Sequence, residues 1–145
     1  MQSALAGIDI ALWDLAGKAL GVPTYRLLGG KARDKVLVYR HVRCNTPEQM
    51  VENGQQLLAE GYKVLRISPT DTIADGHFSP HSAVPQGTRY MEALRKGVGD
   101  DPEIIVEVHT RLSPTRAIEL CNAIEEYRPF YVEDPIRSEN PAAFA

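Results

Sequence analysis

The sequence predicts an α/β fold on a parallel sheet: the first half, strands 1–4, of a (β/α)8 TIM-type barrel, preceded by the tail of another domain. Strand-like and helix-like segments alternate four times, which calls for parallel strands joined by right-handed crossovers. The strands read as buried on both faces, as strands covered by helices are. Two of them, residues 104–109 (IIVEVH) and 130–133 (FYVE), turn from apolar to ionisable as they end. That is how an α/β enzyme gathers a site at the C-terminal ends of its strands. Four such strands leave no comfortable edge on either side, which favours part of a longer protein. A complete open doubly wound domain is the competing architecture.

Each element has its own signal. Residues 3–20 form a helix by period, with Leu5, Ile8, Leu12, Leu15 and Ala19 recurring at three and four residues and Trp13 close to the stripe. Gly21 stops it and Pro23 prevents its resumption. A turn-rich piece, residues 28–31, leads to a first strand at 36–42. The next helix opens with Thr46 as cap, Pro47 at the first helical position and Gln49 completing a capping box, and Gly61 ends it. Residues 62–68 are the second strand. The stretch from about 69 to 85 holds His77, His81, Gly76 and three prolines and reads as irregular. Loops of that length are functional or disordered, and a lid touching substrate is one reading of it. A helix around 89–98 buries Met91, Leu94 and Val98, and strand three runs 103–109. Ser113-Pro114 opens the following helix, whose stripe is Ala117, Leu120, Cys121 and Ile124. Strand four is 130–133, and Asn140-Pro141 resembles another helix start.

Composition narrows the function classes. The 145 residues suffice for one domain with a core, and 43% hydrophobic with 24% charged residues is ordinary for a soluble globular protein. A net charge of −3 leaves no basic footprint, so neither nucleic acid nor an anionic membrane is an expected partner. No apolar run approaches the length of a membrane span, and no basic segment leads into an apolar core at the N-terminus. Cys44 and Cys121 are too few for a disulfide framework, which fits a cytoplasmic location.

Side chains alternate along a strand, so Ile105, Glu107 and His109 share one face and Ile104, Val106 and Val108 the other. Tyr131 and Glu133 likewise oppose Phe130 and Val132. Glu107 and Glu133 lie 26 residues apart, one βα repeat, and so come from adjacent strand ends. Two such carboxylates suit Mg²⁺, which keeps waters and takes other ligands from substrate or further strands. A single strand-end acid is more often satisfied by an arginine or a backbone N–H; the pair with His109 in register shifts the balance toward a metal. His109 is placed to exchange a proton with a metal-held substrate. Arg66, inward with Val64 and Ser68, could bind a carboxylate, stabilise a developing enolate, or form a salt bridge to Glu107. His41 reads as a packed residue, and Asp134 as a turn acid or a partner behind the ligands.

These residues sit within a wider resemblance. SALAGIDIALWDLAGKALGVPTYRLLGGKARDKVLVY resembles the junction between capping domain and barrel in the mandelate racemase/muconate lactonizing enzyme-like branch of the enolase superfamily. EVHTRLSP and FYVEDP resemble the ends of its third and fourth barrel strands, and the histidine after the first ligand is similar to that of acid-sugar dehydratases of the galactonate and mannonate type. The resemblance implies that residues 1–34 are the tail of an α+β capping domain, ending in its C-terminal helix, and that 35–145 are barrel strands 1–4. It implies Mg²⁺ on Glu107 and Glu133, with a third ligand beyond Ala145, and His109 as acid for the departing hydroxyl. The family's usual strand-three ligand is Asp, so Glu107 departs by one methylene. Its racemases carry Lys-x-Lys on strand two, where this chain has Arg66-Ile67-Ser68, which argues for dehydration. The implied reaction is Mg²⁺-dependent dehydration of a sugar acid, an aldonate or aldarate, to a 2-keto-3-deoxy acid through α-proton abstraction and an enediolate. The full-length protein is expected to be a homo-oligomer and this piece alone inactive. A racemase or epimerase of the same superfamily, or a non-catalytic relative, are the alternatives.

Overall fold

Serine or threonine followed by proline opens the helices that separate the strands, because the first helical position needs no N–H and the residue before it can cap. The computed structural model describes residues 2–70, 78–139 and 141–144. The chain divides into two compact units, Met1–Leu37 and Val38–Ala145.

The first unit holds α1 (Gln2–Leu20) and a short α2 (Thr24–Leu27), which the sequence pattern did not reveal. Gly21, at φ 67°, lets the chain turn back: Val22 N–H reaches Gly17 O at 3.0 Å and Gly21 N–H reaches Lys18 O at 3.2 Å, the paired bonds of a Schellman end. Leu5, Ile8, Leu12 and Leu15 form the expected stripe, and all four are exposed.

The second unit runs β1 (Tyr39–His41), α3 (Pro47–Ala59), β2 (Val64–Ile67), α4 (Pro80–Val98), β3 (Glu103–Glu107), α5 (Pro114–Ile124) and β4 (Tyr131–Glu133), with 3-10 turns at Glu125–Tyr127 and Pro141–Phe144. Thr46 Oγ1 accepts the Gln49 N–H at 3.2 Å, and Ser113 Oγ accepts that of Arg116 at 3.4 Å. Gln49 Oε1 takes the N–H of Asn45 rather than that of the cap itself, at 3.0 Å. β1 is shorter than the apolar run 36–42, since Val36, Leu37 and Val38 lie exposed outside the ladder.

The largest departure is α4, which begins at Pro80 rather than near Arg89. The three prolines of residues 69–85 make that stretch read as irregular. In the structure Pro80 occupies the first turn at no cost, and Pro85 forfeits only the bond to one carbonyl. Gly87 is a close-approach residue: a Cβ there would meet Leu120 Cδ1 of α5 at 2.7 Å. His81 therefore lies in the first helical turn, exposed, with its Nδ1 3.4 Å from Arg116 Nη2. His77 and Asn140 lie outside the described residues.

The sheet is parallel throughout in the order β1-β2-β3-β4. Sequential order is that of a barrel; a doubly wound sheet reverses at a switch point. The outer face carries the core: Ile104, Val106 and Val108 are fully buried with Leu65 and Ile67 beneath Met91, Leu94, Leu120 and Ile124. At the N-terminal end of the strands, buried Arg95 donates to four carbonyls, those of Tyr127 (2.9 Å), Gly99 (3.0 Å), Pro102 (2.8 Å) and Arg128 (2.9 Å). Among the described residues no helix is long and apolar enough to cross a membrane.

Candidate active site

Parallel register sets the inner face at the other end. Arg66 lies opposite His41 and Ile105, and one pleat further on Glu107 lies opposite Glu133. A long side chain on the lower row can reach the upper one. Arg66 does so, with Nε donating to Glu133 Oε2 at 2.7 Å and Nη2 donating to Glu107 Oε2. Its Nη1 lies 2.9 Å from His41 Nε2, and its guanidinium carbon 5.7 Å from the Tyr39 ring. The salt bridge to Glu107 that was one of the sequence alternatives forms, and Glu133 shares it. Glu107 is almost wholly buried, so the guanidinium compensates a carboxylate that would be costly to bury alone.

His109 reaches this cluster by a different route from the one its spacing suggests. β3 ends at Glu107, and His109 and Thr110 both take left-handed backbone, φ 55° and 57°. The pleat does not continue through His109; a turn folds it back. Its N–H donates to Glu107 Oε1 at 2.7 Å, and its ring Nε2 stands 3.9 Å from Glu107 Oε2 with the side chain 44% exposed. Asp134, left-handed at φ 46°, forms the matching turn after β4, and its carbonyl accepts the Thr110 N–H at 2.7 Å. Val108 N–H donates to Glu133 O at 3.0 Å. Left-handed backbone is rare for a β-branched residue, and such strain clusters at functional sites. The two turns tie β3 and β4 together at the level of the acids.

His41, which read as merely packed, faces Arg66 directly. Its pKa lies below the ordinary 6.5, first through burial and then through the Arg66 and Arg43 charges. A neutral imidazole can accept from the guanidinium. Only the cross-strand register, His41 opposite Arg66, could have signalled this. Two cavities flank the cluster. One of about 960 Å³ opens between the loop after β1 and α4, and one of about 640 Å³ is lined by His109, Phe78, Arg111 and Ile136.

Mg²⁺, implied by the resemblance, can be tested against these donors. Glu107 and Glu133 supply hard carboxylate oxygens that already converge on one cationic group, the Arg66 guanidinium. That donor chemistry fits Mg²⁺ as two members of a ligand set. No cluster of three or more potential ligands occurs among the described residues.

Comparison with known proteins agrees with the topology. The family described as "Enolase C-terminal domain-like" matches residues 49–145, and the "Mandelate racemase / muconate lactonizing enzyme, N-terminal domain" matches residues 1–29. A D-galactonate dehydratase family member of Catenulispora acidiphila is 38% identical over 156 residues, covering 96% of this chain and 36% of the relative. A D-gluconate dehydratase of Thermoproteus tenax is 37% identical over 141 residues, covering 95% and 28%. The crystal structure of an enolase from Pantoea ananatis with bound D-gluconate and Mg superposes with a TM-score of 0.80 at 27% identity, covering 94% of this chain and 40% of that one. The chain thus spans well under half the length of the relatives it matches, and its sheet is a partial barrel. The chain belongs to the enolase superfamily, in the branch that joins a mandelate racemase/muconate lactonizing enzyme-type N-terminal domain to a barrel.

Proposed function

We propose that the protein of which this chain forms part is a sugar-acid dehydratase, with residues 1–34 the tail of its capping domain and 35–145 its first four barrel strands. The observation that carries this reading is the turn that folds an accessible His109 ring back over Glu107, beside a second carboxylate on the next strand. The names of the relatives, galactonate and gluconate dehydratases, support it.

Glu107 and Glu133 would hold Mg²⁺, whose Lewis acidity, when bound, favours a substrate carboxylate whose α-carbon is losing a proton. The His109 N–H fixes one Glu107 oxygen and Arg66 the other, so that acid cannot rotate away. The Arg66 guanidinium also offers positive charge to the enediolate that develops when the α-proton leaves. As the C3–O bond breaks, its electrons depart with the hydroxyl, which takes a proton from His109 and leaves as water. The resulting enol becomes the 2-keto-3-deoxy acid. The base that removes the α-proton would come from later strands. Incubating the full-length protein with Mg²⁺ and D-gluconate, D-galactonate or D-mannonate should yield a 2-keto-3-deoxy acid, detected as its semicarbazone. Racemised or epimerised acid without loss of water would contradict dehydration.

A further inference from the structure

The cavity of about 960 Å³ beside the carboxylate pair has the size of a small-molecule site and a one-sided charge. Arg43, Arg66 and Arg89 line it together with His41, and among the described residues no acidic side chain does. Arg66 is already committed to Glu107 and Glu133. Arg43 and Arg89 form no ion pair among the described residues. Glu48 lies within the field of Arg89, but its carboxyl takes its hydrogen bonds from its own backbone N–H and from Thr46 at the start of α3. Two guanidiniums therefore line the same cavity, Arg43 from the loop after β1 and Arg89 from α4, and neither is held in an ion pair among the described residues. Ser68 and Ser82 add hydroxyls to the same lining.

We propose that this cavity is the distal subsite of the substrate, and that Arg43 and Arg89 select a sugar acid bearing a second anionic group at its far end. The inference rests on the sugar-acid reading above. A substrate whose reacting carboxylate lies at Glu107 and Glu133 extends its polyol chain past Arg66 toward the loop after β1. Its far end then arrives between Arg43 and Arg89. A terminal hydroxymethyl group leaves both guanidiniums uncompensated there. A carboxylate or a phosphate monoester accepts from both, in the forked geometry that arginine favours. Arg43 and Arg89 are exposed, so the selection is screened by salt.

The test is isothermal titration of the full-length protein, with Mg²⁺ present, against three probes sharing one carbon chain: D-gluconate, D-glucarate and 6-phospho-D-gluconate. At least one dianion should bind about tenfold more tightly than gluconate at low salt, the effect expected of one additional charge-assisted contact. The advantage should shrink as salt is added. The tighter dianion identifies the end group as carboxylate or phosphate. In Arg43→Gln and Arg89→Gln the ratio of dianion to gluconate affinity should fall toward one. Gluconate binding as tightly as both dianions to the wild-type protein would overturn the distal-anion subsite while leaving the dehydratase reading intact. A dianion preference that survives both substitutions would overturn the assignment to these arginines. Failure of all three acids to bind would overturn the sugar-acid reading beneath it.

Discussion

Two buried arginines mark opposite ends of the same sheet and do different things. Arg95, below the N-terminal ends of the strands, gives its hydrogen bonds to backbone carbonyls of the loops around it. Arg66, at the C-terminal end, gives its contacts to side chains, two carboxylates and an imidazole. Carbonyls are fixed by the fold, so Arg95 can only hold loops together. Carboxylates can hold a metal as well as a guanidinium, so the Arg66 cluster is able to act. The backbone differs accordingly: beside Glu107 and Glu133 the chain adopts left-handed turns at His109, Thr110 and Asp134. Arg95 serves the fold at one end of the strands, and the proposed reading puts the chemistry at the other.

Substitutions at the two ends should therefore separate rate from stability. In the full-length enzyme, His109→Asn should lower the dehydration rate by about 10²–10⁴, the usual contribution of one positioned general acid, with Mg²⁺ affinity retained. Such a variant should still exchange the α-proton with deuterated water. A near-wild-type rate would remove His109 from the chemistry.

At the other end, Arg95→Met should cost about 2–4 kcal/mol of unfolding free energy, because buried carbonyls lose a charged donor, while KM is unchanged. Denaturant titration and steady-state kinetics on the same sample measure both. A variant of normal stability and impaired KM would erase the contrast between the ends.

Thr110→Gly sharpens it further. Glycine relieves the left-handed strain but adds freedom to the unfolded chain, so stability should stay within about 1 kcal/mol of wild type. The rate should nevertheless fall by about tenfold or more, since the turn that places the His109 ring loosens. Thr110→Asn, which tolerates that backbone, should restore most of the rate. Equal rates in all three would make the turn incidental to catalysis.

The smallest effect concerns pH. His41 binds its proton less readily in the folded protein than the ordinary 6.5, so the unfolded chain protonates first as the pH falls. By linkage its contribution is intact above pH 6.5 and is lost progressively below it. Comparing the pH dependence of urea midpoints for wild type and His41→Asn should show a shallower acid-side decline in the variant. Parallel curves would mean that neither burial nor the Arg66 and Arg43 charges bear on His41.

Much of this was legible before the structure, for identifiable reasons. A period of two along residues 104–109 and 130–133, combined with the βα repeat, is enough to bring Glu107 and Glu133 side by side. The capped starts at Thr46-Pro47 and Ser113-Pro114 are local chemistry and appear where expected. What stayed hidden depends on partners distant in the chain. The helix start at Pro80 stays hidden because the close packing of Gly87 on Leu120 comes from a residue far along the chain. His41 looks inert until register sets it opposite Arg66. The left-handed turn at His109 and Thr110 has no sequence signature, because β-branched Thr110 disfavours that backbone and the bond to Asp134 O comes from another strand.

The central claim, that Glu107 and Glu133 are a pair made for a divalent cation, is tested most directly by Mg²⁺ titration of the full-length protein and its Glu133→Gln variant, without substrate. Glutamine preserves shape and removes one charge from the cation. The variant should bind Mg²⁺ about tenfold more weakly or worse, since even groups that only orient a ligand cost that much when lost. Unchanged Mg²⁺ affinity would show that Glu133 is a salt-bridge partner of Arg66 and nothing more.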